Sequence, residues 1–163
     1  MAKAQRFNNK LVRCGNAITT ACTCGEAPCV TICDLDTAND VLVTFDNDMS
    51  DCDDLGHPCN CPSGCICEGV FNGNSFQCVW NGGVNAWVYT LGNTTVFVQC
   101  YVGTQLYVLA ESGTPGSNNC FLGALPAKCL PQTIPSVFDE SHNCDIGGSW
   151  GCALFGNATV SIV

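Results

Sequence analysis

Sixteen of the 163 residues are cysteine, and this fraction restricts the folds open to the chain more than any other feature. A cysteine content above roughly 8–10% is typical of disulfide scaffolds, which are usually much shorter chains. A chain of about 150 residues buries roughly 68–70% of its unfolded surface and can therefore form a hydrophobic core. We expect one domain in which cysteines reinforce a core that the apolar residues already provide.

Short apolar segments separated by glycine and asparagine turns predict an all-β fold. No ten-residue stretch has a convincing 3.6-residue apolar period, so helices are not expected. Four prolines lie within residues 111–136, where we expect long loops held in place by disulfide-bonded cysteines. The spacing predicts an antiparallel β-sandwich of jelly-roll or immunoglobulin-like type. The candidate strands are residues 40–45, 75–80, 84–91, 94–102, 105–110 and 158–163, with residues 6–13 as a further candidate.

The charge is low overall but divided along the chain. Only 12% of the residues are charged, and the formal net charge is −9. An acidic body does not favour binding to nucleic acid. The basic arm at the N-terminus is suited to contact an acidic surface on a neighbouring subunit, or it pairs with the sheet of its own chain. Four of the five basic residues lie in this arm, which has no acidic residue: Lys3, Arg6, Lys10 and Arg13.

We divide the chain into residues 1–24, an extended basic arm with a cysteine-rich lead-in, and residues 25–163, a single β-sandwich domain. The arm has no apolar segment of the kind found in secretory signals. The chain contains no run of about 18 apolar residues, so we predict no membrane span. The cysteine content nevertheless indicates an oxidising destination, because disulfides are rare in reducing cytosol. Three interpretations resolve this conflict: zinc in place of disulfides, a disulfide-rich hyperthermophile, or a virion component released by lysis.

An even number of cysteines permits complete pairing into eight disulfides, although the sequence does not determine the partners. The alternative is structural zinc held by cysteine thiolates in two clusters. We favour disulfides, because zinc knuckles are usually separated by about a dozen residues or more. The candidate disulfide pairs are Cys120 with Cys129, Cys144 with Cys152, and Cys78 with Cys100 on candidate neighbouring strands. The candidate zinc clusters are Cys22, Cys24, Cys29 and Cys33, and Cys59, Cys61, Cys65 and Cys67 with His57 beside them.

Acidic residues cluster directly after the first long candidate strand. Calcium prefers oxygen ligands from loops of this kind. The spacing Asp46-x-Asp48-x-Ser50 imitates the start of an EF-hand loop, but the rest of that pattern is absent. The simpler interpretation is a solvated acidic loop, or a docking surface for a neighbour's basic arm. The candidate calcium ligands are Asp46, Asp48, Asp51 and Asp53.

Catalytic motifs do not stand out in the sequence. It contains no P-loop and no H-E-x-x-H, and its glutamates are scattered. We therefore predict that the protein is not an enzyme. Six aromatic residues are candidates for a sugar-binding face, although such residues more often belong to the core of a sandwich. They are Trp80, Trp87, Trp150, Tyr89, Tyr101 and Tyr107.

A series of short motifs suggests a family. Cys65-x-Cys67 is followed by Phe71-Asn72-Gly73 and Ser75-Phe76, then by Trp80, Trp87 and the closing segment Ala158-Thr159-Val160-x-Ile162. This series resembles cysteine-rich β-sandwich structural proteins of tailed-phage virions and environmental bacteria. The resemblance covers about residues 28–163. It implies a structural role in a virion or at a cell surface, and it transfers no binding residues.

These features together predict a virion structural protein, of the capsid decoration (cement) or tail-appendage type. It would be made in the host cytoplasm without a signal peptide. Its sandwich would be a rigid block whose arm docks on neighbouring virion subunits or on copies of itself. We expect no nucleic acid, membrane or obligatory cofactor. The alternatives are an extracellular filament subunit, a carbohydrate-binding adhesin that uses exposed aromatics and calcium, and a structural zinc protein.

Overall fold

The computed structural model describes residues 29–49, 67–112, 119–137 and 154–163, together with the backbone pairing of two short N-terminal strands. The two N-terminal strands pair with each other, and the other eight form one sheet in the order β8-β7-β6-β5-β4-β3-β10-β9. Every pairing is antiparallel, which confirms the all-β prediction. The elements are β1 (Gln5–Phe7), β2 (Lys10–Val12), β3 (Val41–Phe45), α1 (Cys67–Phe71), β4 (Ser75–Asn81), β5 (Ala86–Leu91), β6 (Thr94–Tyr101), β7 (Gln105–Ser112), β8 (Asn119–Pro126), β9 (Gln132–Pro135) and β10 (Asn157–Ile162).

The eight-stranded sheet curls until its edge strands, β8 and β9, almost meet. The N–H of Val137, just after β9, donates to the carbonyl of Leu122 in β8 at 2.7 Å. A Cβ atom on Gly123 of β8 would lie 2.8 Å from Cγ1 of Ile134 in β9. Glycine therefore permits an approach that a larger residue would obstruct, and the sheet comes close to a closed barrel.

Strand β4 joins two halves of this sheet. Residues 75–78 pair with β3, whereas residues 79–81 pair with β5. We call β9, β10, β3 and residues 75–78 the first half-sheet, and residues 79–81 with β5–β8 the second half-sheet. The ring of Phe45 in β3 lies 5.3 Å from the ring of Phe121 in β8. The two half-sheets therefore share one core.

The inner face of the sheet follows from residue alternation. In β3, Val41, Val43 and Phe45 are buried, while Leu42 and Thr44 lie on the opposite face. Successive strand residues point to opposite faces, and the same alternation continues in the neighbouring strands. Helix α1 closes one end of the core with two buried residues, Cys67 and Phe71.

The strand predictions hold best where β-branched residues are dense. The six candidate strands between residues 40 and 163 are confirmed, with ends shifted by at most two residues. The prediction of loops throughout residues 111–136 is wrong, because β8 and β9 lie there. Gly123 and Pro126 suggest a loop in the sequence, although both belong to β8. Gly123 allows the close approach to β9, and Pro126 ends the strand. Helix α1 was not expected either.

Candidate functional site

Among the described residues, three disulfides fasten segments outside the strands to the sheet or to the loop after β8. Two of them hold the segment of residues 29–33: one joins it to the loop after β8, and the other joins it to the end of β6. The third holds α1 against β8. Bridges across long loops typically stabilise the folded state by about 2–4 kcal/mol each. The pairs are Cys29–Cys129, Cys33–Cys100 and Cys67–Cys120, with sequence separations of 100, 67 and 53 residues.

Two of the predicted disulfide pairs are wrong. Cys120 lies near the start of β8 and Cys129 beyond its end, so most of an eight-residue strand separates them. Cys78 lies in β4 and Cys100 in β6, and β5 runs between these strands. Strands two positions apart are about 9–10 Å from each other, whereas bridged Cα atoms lie within about 7 Å. The pairing of Cys78 with Cys100 assumed that their strands are neighbours, and the sequence alone does not determine the order of strands in the sheet.

Cys78 is a free thiol with no exposed surface, so complete pairing of all 16 cysteines within the chain is excluded. Its Sγ lies 3.8 Å from the carbonyl oxygens of Phe76 and Val96. Burial raises the pKa of this thiol to about 12, although a backbone hydrogen bond at Tyr89 acts in the opposite direction. The thiolate is the reactive form of cysteine. We therefore expect Cys78 to be inert while the protein is folded.

The two candidate zinc clusters each lose ligands to the disulfides. Cys29 and Cys33 of the first cluster and Cys67 of the second are all oxidised, and a disulfide sulfur offers no thiolate to a metal. The four-thiolate sites proposed from the sequence are therefore not formed as predicted. The other members of both clusters lie outside the described residues, as does the predicted pair of Cys144 and Cys152.

The acidic segment after β3 has a structural use for its first aspartate. Asp46 Oδ2 accepts a hydrogen bond from Asn157 Nδ2 at 3.0 Å, and its carbonyl accepts one from Gly73 N–H at 2.9 Å. Asp46 thereby ties the end of β3 to β10 and to the turn after α1. Asp48 is exposed. Among the described residues, no three His, Cys, Asp or Glu side chains are placed to hold a metal ion.

The calcium prediction extends beyond this part of the chain. Asp51 and Asp53 lie outside the described residues. A calcium loop at residues 46–53 therefore stays a prediction. The described half of the loop shows that at least one carboxylate, that of Asp46, is already bound to an amide.

The basic arm is a hairpin rather than one extended segment. β1 and β2 pair antiparallel, with Arg6 opposite Leu11 and Phe7 opposite Lys10. The prediction of a single strand across residues 6–13 is wrong, because the chain reverses between these two strands. The described strands of the arm pair with each other and not with the eight-stranded sheet. Of the four predicted interface residues, Arg6 and Lys10 lie in the hairpin strands, and Lys3 and Arg13 lie outside the described residues.

The described body is strongly acidic, and neutral donors hold several of its carboxylates. Asp34 accepts from the hydroxyl of Thr31 at 2.8 Å, and Asp40 accepts from Gln77 Nε2 at 2.7 Å. These two residues and Asp36 lie just before β3, and the sequence analysis did not single them out. Three acidic residues within seven positions are the sequence signal that could have identified this acidic segment. The described acids are Asp34, Asp36, Asp40, Asp46, Asp48, Glu68 and Glu111, against Lys128 alone.

Two of the tryptophans and one tyrosine belong to the inner face. Trp80 and Trp87 pack edge to face with ring centroids 4.7 Å apart. Trp87 is buried, and its indole N–H donates to the carbonyl of Asn39 at 2.8 Å. Tyr89 packs against the ring of Phe76. For these residues the core interpretation of the aromatic pattern is correct.

Two tyrosines instead lie on the outer face. The rings of Tyr101 and Tyr107 are 5.8 Å apart, and half of Tyr101 is exposed. Burial raises the pKa of Tyr107 above its ordinary value, and the charges of Glu111 and Tyr101 act in the same direction. Trp150 lies outside the described residues. The aromatic set therefore divides between core and surface.

The outer face of the first half-sheet carries a line of hydroxyl groups. The Oγ1 atoms of Thr133 and Thr159 are 3.0 Å apart. Thr44 Oγ1 and Ser75 Oγ are 2.9 Å apart. Register places all four side by side across β9, β10, β3 and β4. We call Thr133, Thr159, Thr44 and Ser75 the hydroxyl row.

The outer face of the second half-sheet carries a line of apolar residues. Register places one from each of five consecutive strands, β4 to β8, directly opposite the next. None of the five is part of the core cluster or packs against it, among the residues that the structure describes. We call this set the apolar row: Val79, Val88, Phe97, Leu109 and Leu122.

Comparison with known proteins adds no assignment. No protein-family model matches the chain. No curated protein and no solved structure matches it either. Within the described residues, no helix has the length and apolar character required to span a membrane. The function must therefore be argued from the surfaces and cross-links described above.

Proposed function

We propose that this chain is a structural subunit of a particle that persists outside the cell, of the virion decoration or tail-appendage type. The division of charge supports this most directly. Four basic residues lie in the N-terminal arm, whereas the described body holds seven acids and one lysine. Opposite charges on two parts of one chain suit contacts between neighbouring subunits, because complementary surfaces steer and orient association.

The disulfides support the same proposal in a different way. Disulfides persist in oxidising surroundings, as a particle released from a cell would meet. The three described bridges join residues 53 to 100 positions apart, so they restrict the unfolded chain strongly. A subunit fastened in this way would act as a rigid block that survives outside the cell.

We further propose that the two half-sheets pack face to face as a sandwich related to the jelly-roll or immunoglobulin-like type. Two observations favour this arrangement over a round barrel. Strand β4 changes partner halfway along its length. The contact between Phe45 and Phe121 joins strands that are far apart in the sheet order.

The arm is tested with the full-length protein. The variant replaces all four arm cations with glutamine: Lys3→Gln, Arg6→Gln, Lys10→Gln and Arg13→Gln. We expect it to fold with an unchanged melting temperature but to lose assembly, as seen by sedimentation and electron microscopy. Lys128→Gln is the matched control, because it removes one positive charge from the body. Deletion of residues 1–13 should have the same effect as the fourfold variant.

The salt dependence of assembly supplies an independent check. Exposed charge pairs are screened over about 8 Å at physiological ionic strength and over about 3 Å at 1 M salt. Assembly through the arm should therefore weaken steadily as salt is added. Normal assembly of the fourfold variant, or assembly that salt leaves unchanged, would refute the proposed role of the arm.

A carbohydrate-binding adhesin is the second candidate function. The pair of Tyr101 and Tyr107 on the outer face favours it, because Tyr101 is half exposed and paired aromatic rings at a surface can stack against sugars. Binding to a glycan array that Tyr101→Ala removes would support this candidate. Loss of glycan binding after chelation would indicate that binding also requires calcium, as the predicted calcium loop at residues 46–53 would supply. Absence of any glycan binding by the full-length protein would exclude it.

A further inference from the structure

We infer that the outer face of the second half-sheet is a contact surface for a second copy of this chain. The apolar row forms the centre of this surface, and Tyr101 and Tyr107 lie beside it. The inference deepens the proposed assembly role and rests on it for its biological meaning. It concerns the body, however, and can fail or succeed independently of the arm.

Strands β6 and β7 are apolar on both faces where the row crosses them. In β6, Val96 and Val98 are buried in the core, and Phe97 lies between them on the outer face. In β7, Leu109 lies in the same way between the buried Val108 and Ala110. Uninterrupted apolar runs are typical of strands covered on both sides. Within the described residues, the core covers only the inner side.

The margin of the row is exposed to solvent. Val79, which begins the row in β4, is 52% exposed. Tyr101 is half exposed, and Val102 at the tip of the β6–β7 hairpin is 76% exposed with a positive φ of 52°. A β-branched residue is unusual in that conformation. The hairpin thus presents apolar surface beyond the edge of the row, where monomers usually place polar residues.

The distribution of charge favours a second copy of the chain as the occupant of this face. The described body is acidic, so two copies repel each other wherever their charged surfaces meet. Glu111, in β7, is the one charged residue in residues 79–126 among those described. This face is therefore where two acidic bodies can approach without strong repulsion. A basic hairpin from a neighbour would find few acids here, and the segment before β3 suits it better.

The size of the face fits a weak self-contact. Five strands spaced about 4.8 Å apart span roughly 19 Å, and four residues along a strand span roughly 13 Å. With side chains included, two copies would bury on the order of 1,000 Å² in total, the low end for specific interfaces. A two-fold contact would place the same patch on both sides. We expect the isolated pair to be weak and to gain strength from repetition within an assembly.

The test measures self-association of the full-length protein by sedimentation up to about 1 mM. The variant Phe97→Thr with Leu109→Thr makes the row polar while keeping residues that favour strands. Leu42→Thr is the matched control, because Leu42 lies on the outer face of β3, in the other half-sheet. The single variant Leu109→Thr provides a milder change, and the melting temperature of each variant reports its folding.

We expect the wild-type chain and Leu42→Thr to dimerise equally, and the double variant to dimerise at least tenfold more weakly with its fold retained. Leu109→Thr should fall between them. A wild-type chain that is monomeric up to about 1 mM would overturn the inference, even if the face binds another protein. Equal dimerisation of all variants would also overturn it. The fourfold arm variant should keep this dimer while losing larger assemblies, so failure of the arm proposal leaves a separate signature.

Discussion

The two half-sheets share one interior but differ on their outer faces. The hydroxyl row of the first half-sheet has two internal side-chain hydrogen bonds and is typical of a surface in contact with water. The apolar row of the second half-sheet has no comparable partners in the described residues. All three described disulfides end on the second half-sheet or on the loop after β8. The half with the apolar face is thus also the half that is covalently fastened.

This difference shows how one sheet can combine stability with contact. Both rows consist of residues that favour strands, so local propensity does not distinguish them. The distinction lies in what each row can do with its outer face. Hydroxyl groups bond to each other and to water, whereas an apolar row gains free energy only when another surface covers it.

Phe45→Ala should damage both half-sheets together. Phe45 is 1% exposed and its ring contacts the rings of Phe71, Phe76 and Phe121. Truncation of a buried Phe typically lowers the free energy of unfolding by about 3–5 kcal/mol. Urea denaturation at neutral pH measures this loss. A loss below about 1 kcal/mol would mean that the half-sheets do not share the core described here.

Removal of the buried disulfide should have the next largest effect. Cys67 and Cys120 have no exposed surface, and their bridge joins α1 to β8. The double variant Cys67→Ala with Cys120→Ala should lower the free energy of unfolding by about 2–4 kcal/mol. Cys78→Ala is the control, because it removes a buried sulfur without breaking a bridge. If both variants lose the same amount, the bridge itself contributes little and packing of the sulfur atoms dominates.

The sequence predicts the strands of the molecule better than its connections. Residues 94–102 indicate a strand because β-branched and aromatic residues fill them, whereas Gly123 and Pro126 give β8 the local pattern of a loop. The glycine is explained only by the approach of Ile134, a contact between strands that no local pattern contains. The disulfide partners depend on sheet order for the same reason. Cys33 and Cys100 are 67 positions apart, and only the folded sheet brings them together.

The surfaces show the same limit. The division of charge between arm and body can be read directly from residues 1–13 and the acids that follow. The apolar row cannot, because its five members come from five strands and meet only through their register. A signal for the row was nevertheless present in the unbroken apolar run of β7, residues 106–110. The significance of this run depends on the fold, in which the described core covers only one face of the strand.

Cys78 should make stability depend on pH above the neutral range. Its pKa is about 12 in the folded protein, against an ordinary value of 9.0. Between these values the unfolded chain releases the thiol proton while the folded chain keeps it, so stability falls as pH rises from 9 to 12. The slope is at most about 1.4 kcal/mol per pH unit. Denaturation of wild type and Cys78→Ala across this range should show the smaller slope in the variant, and equal slopes would contradict the buried thiol.

Changes to the hydroxyl row should have the smallest effect. Thr159→Val removes an exposed hydrogen bond with Thr133 and keeps a residue that favours strands. We expect a change in the free energy of unfolding of at most about 1 kcal/mol, measured by urea denaturation, and no change in self-association. An increase in dimerisation would show that any apolar residue on the sheet supports contact. The special role of the second half-sheet would then be lost.

Hydroxyl-radical footprinting at increasing protein concentration tests the contact most directly, because it reads individual side chains in the unmodified chain. The central claim is that the apolar row becomes covered when copies meet. Oxidation of Phe97 and Leu109 should fall as concentration rises toward about 1 mM, while oxidation of Leu42 on the other half-sheet stays constant. Oxidation of Phe97 and Leu109 that does not change with concentration, or that falls in parallel with Leu42, would contradict the claim.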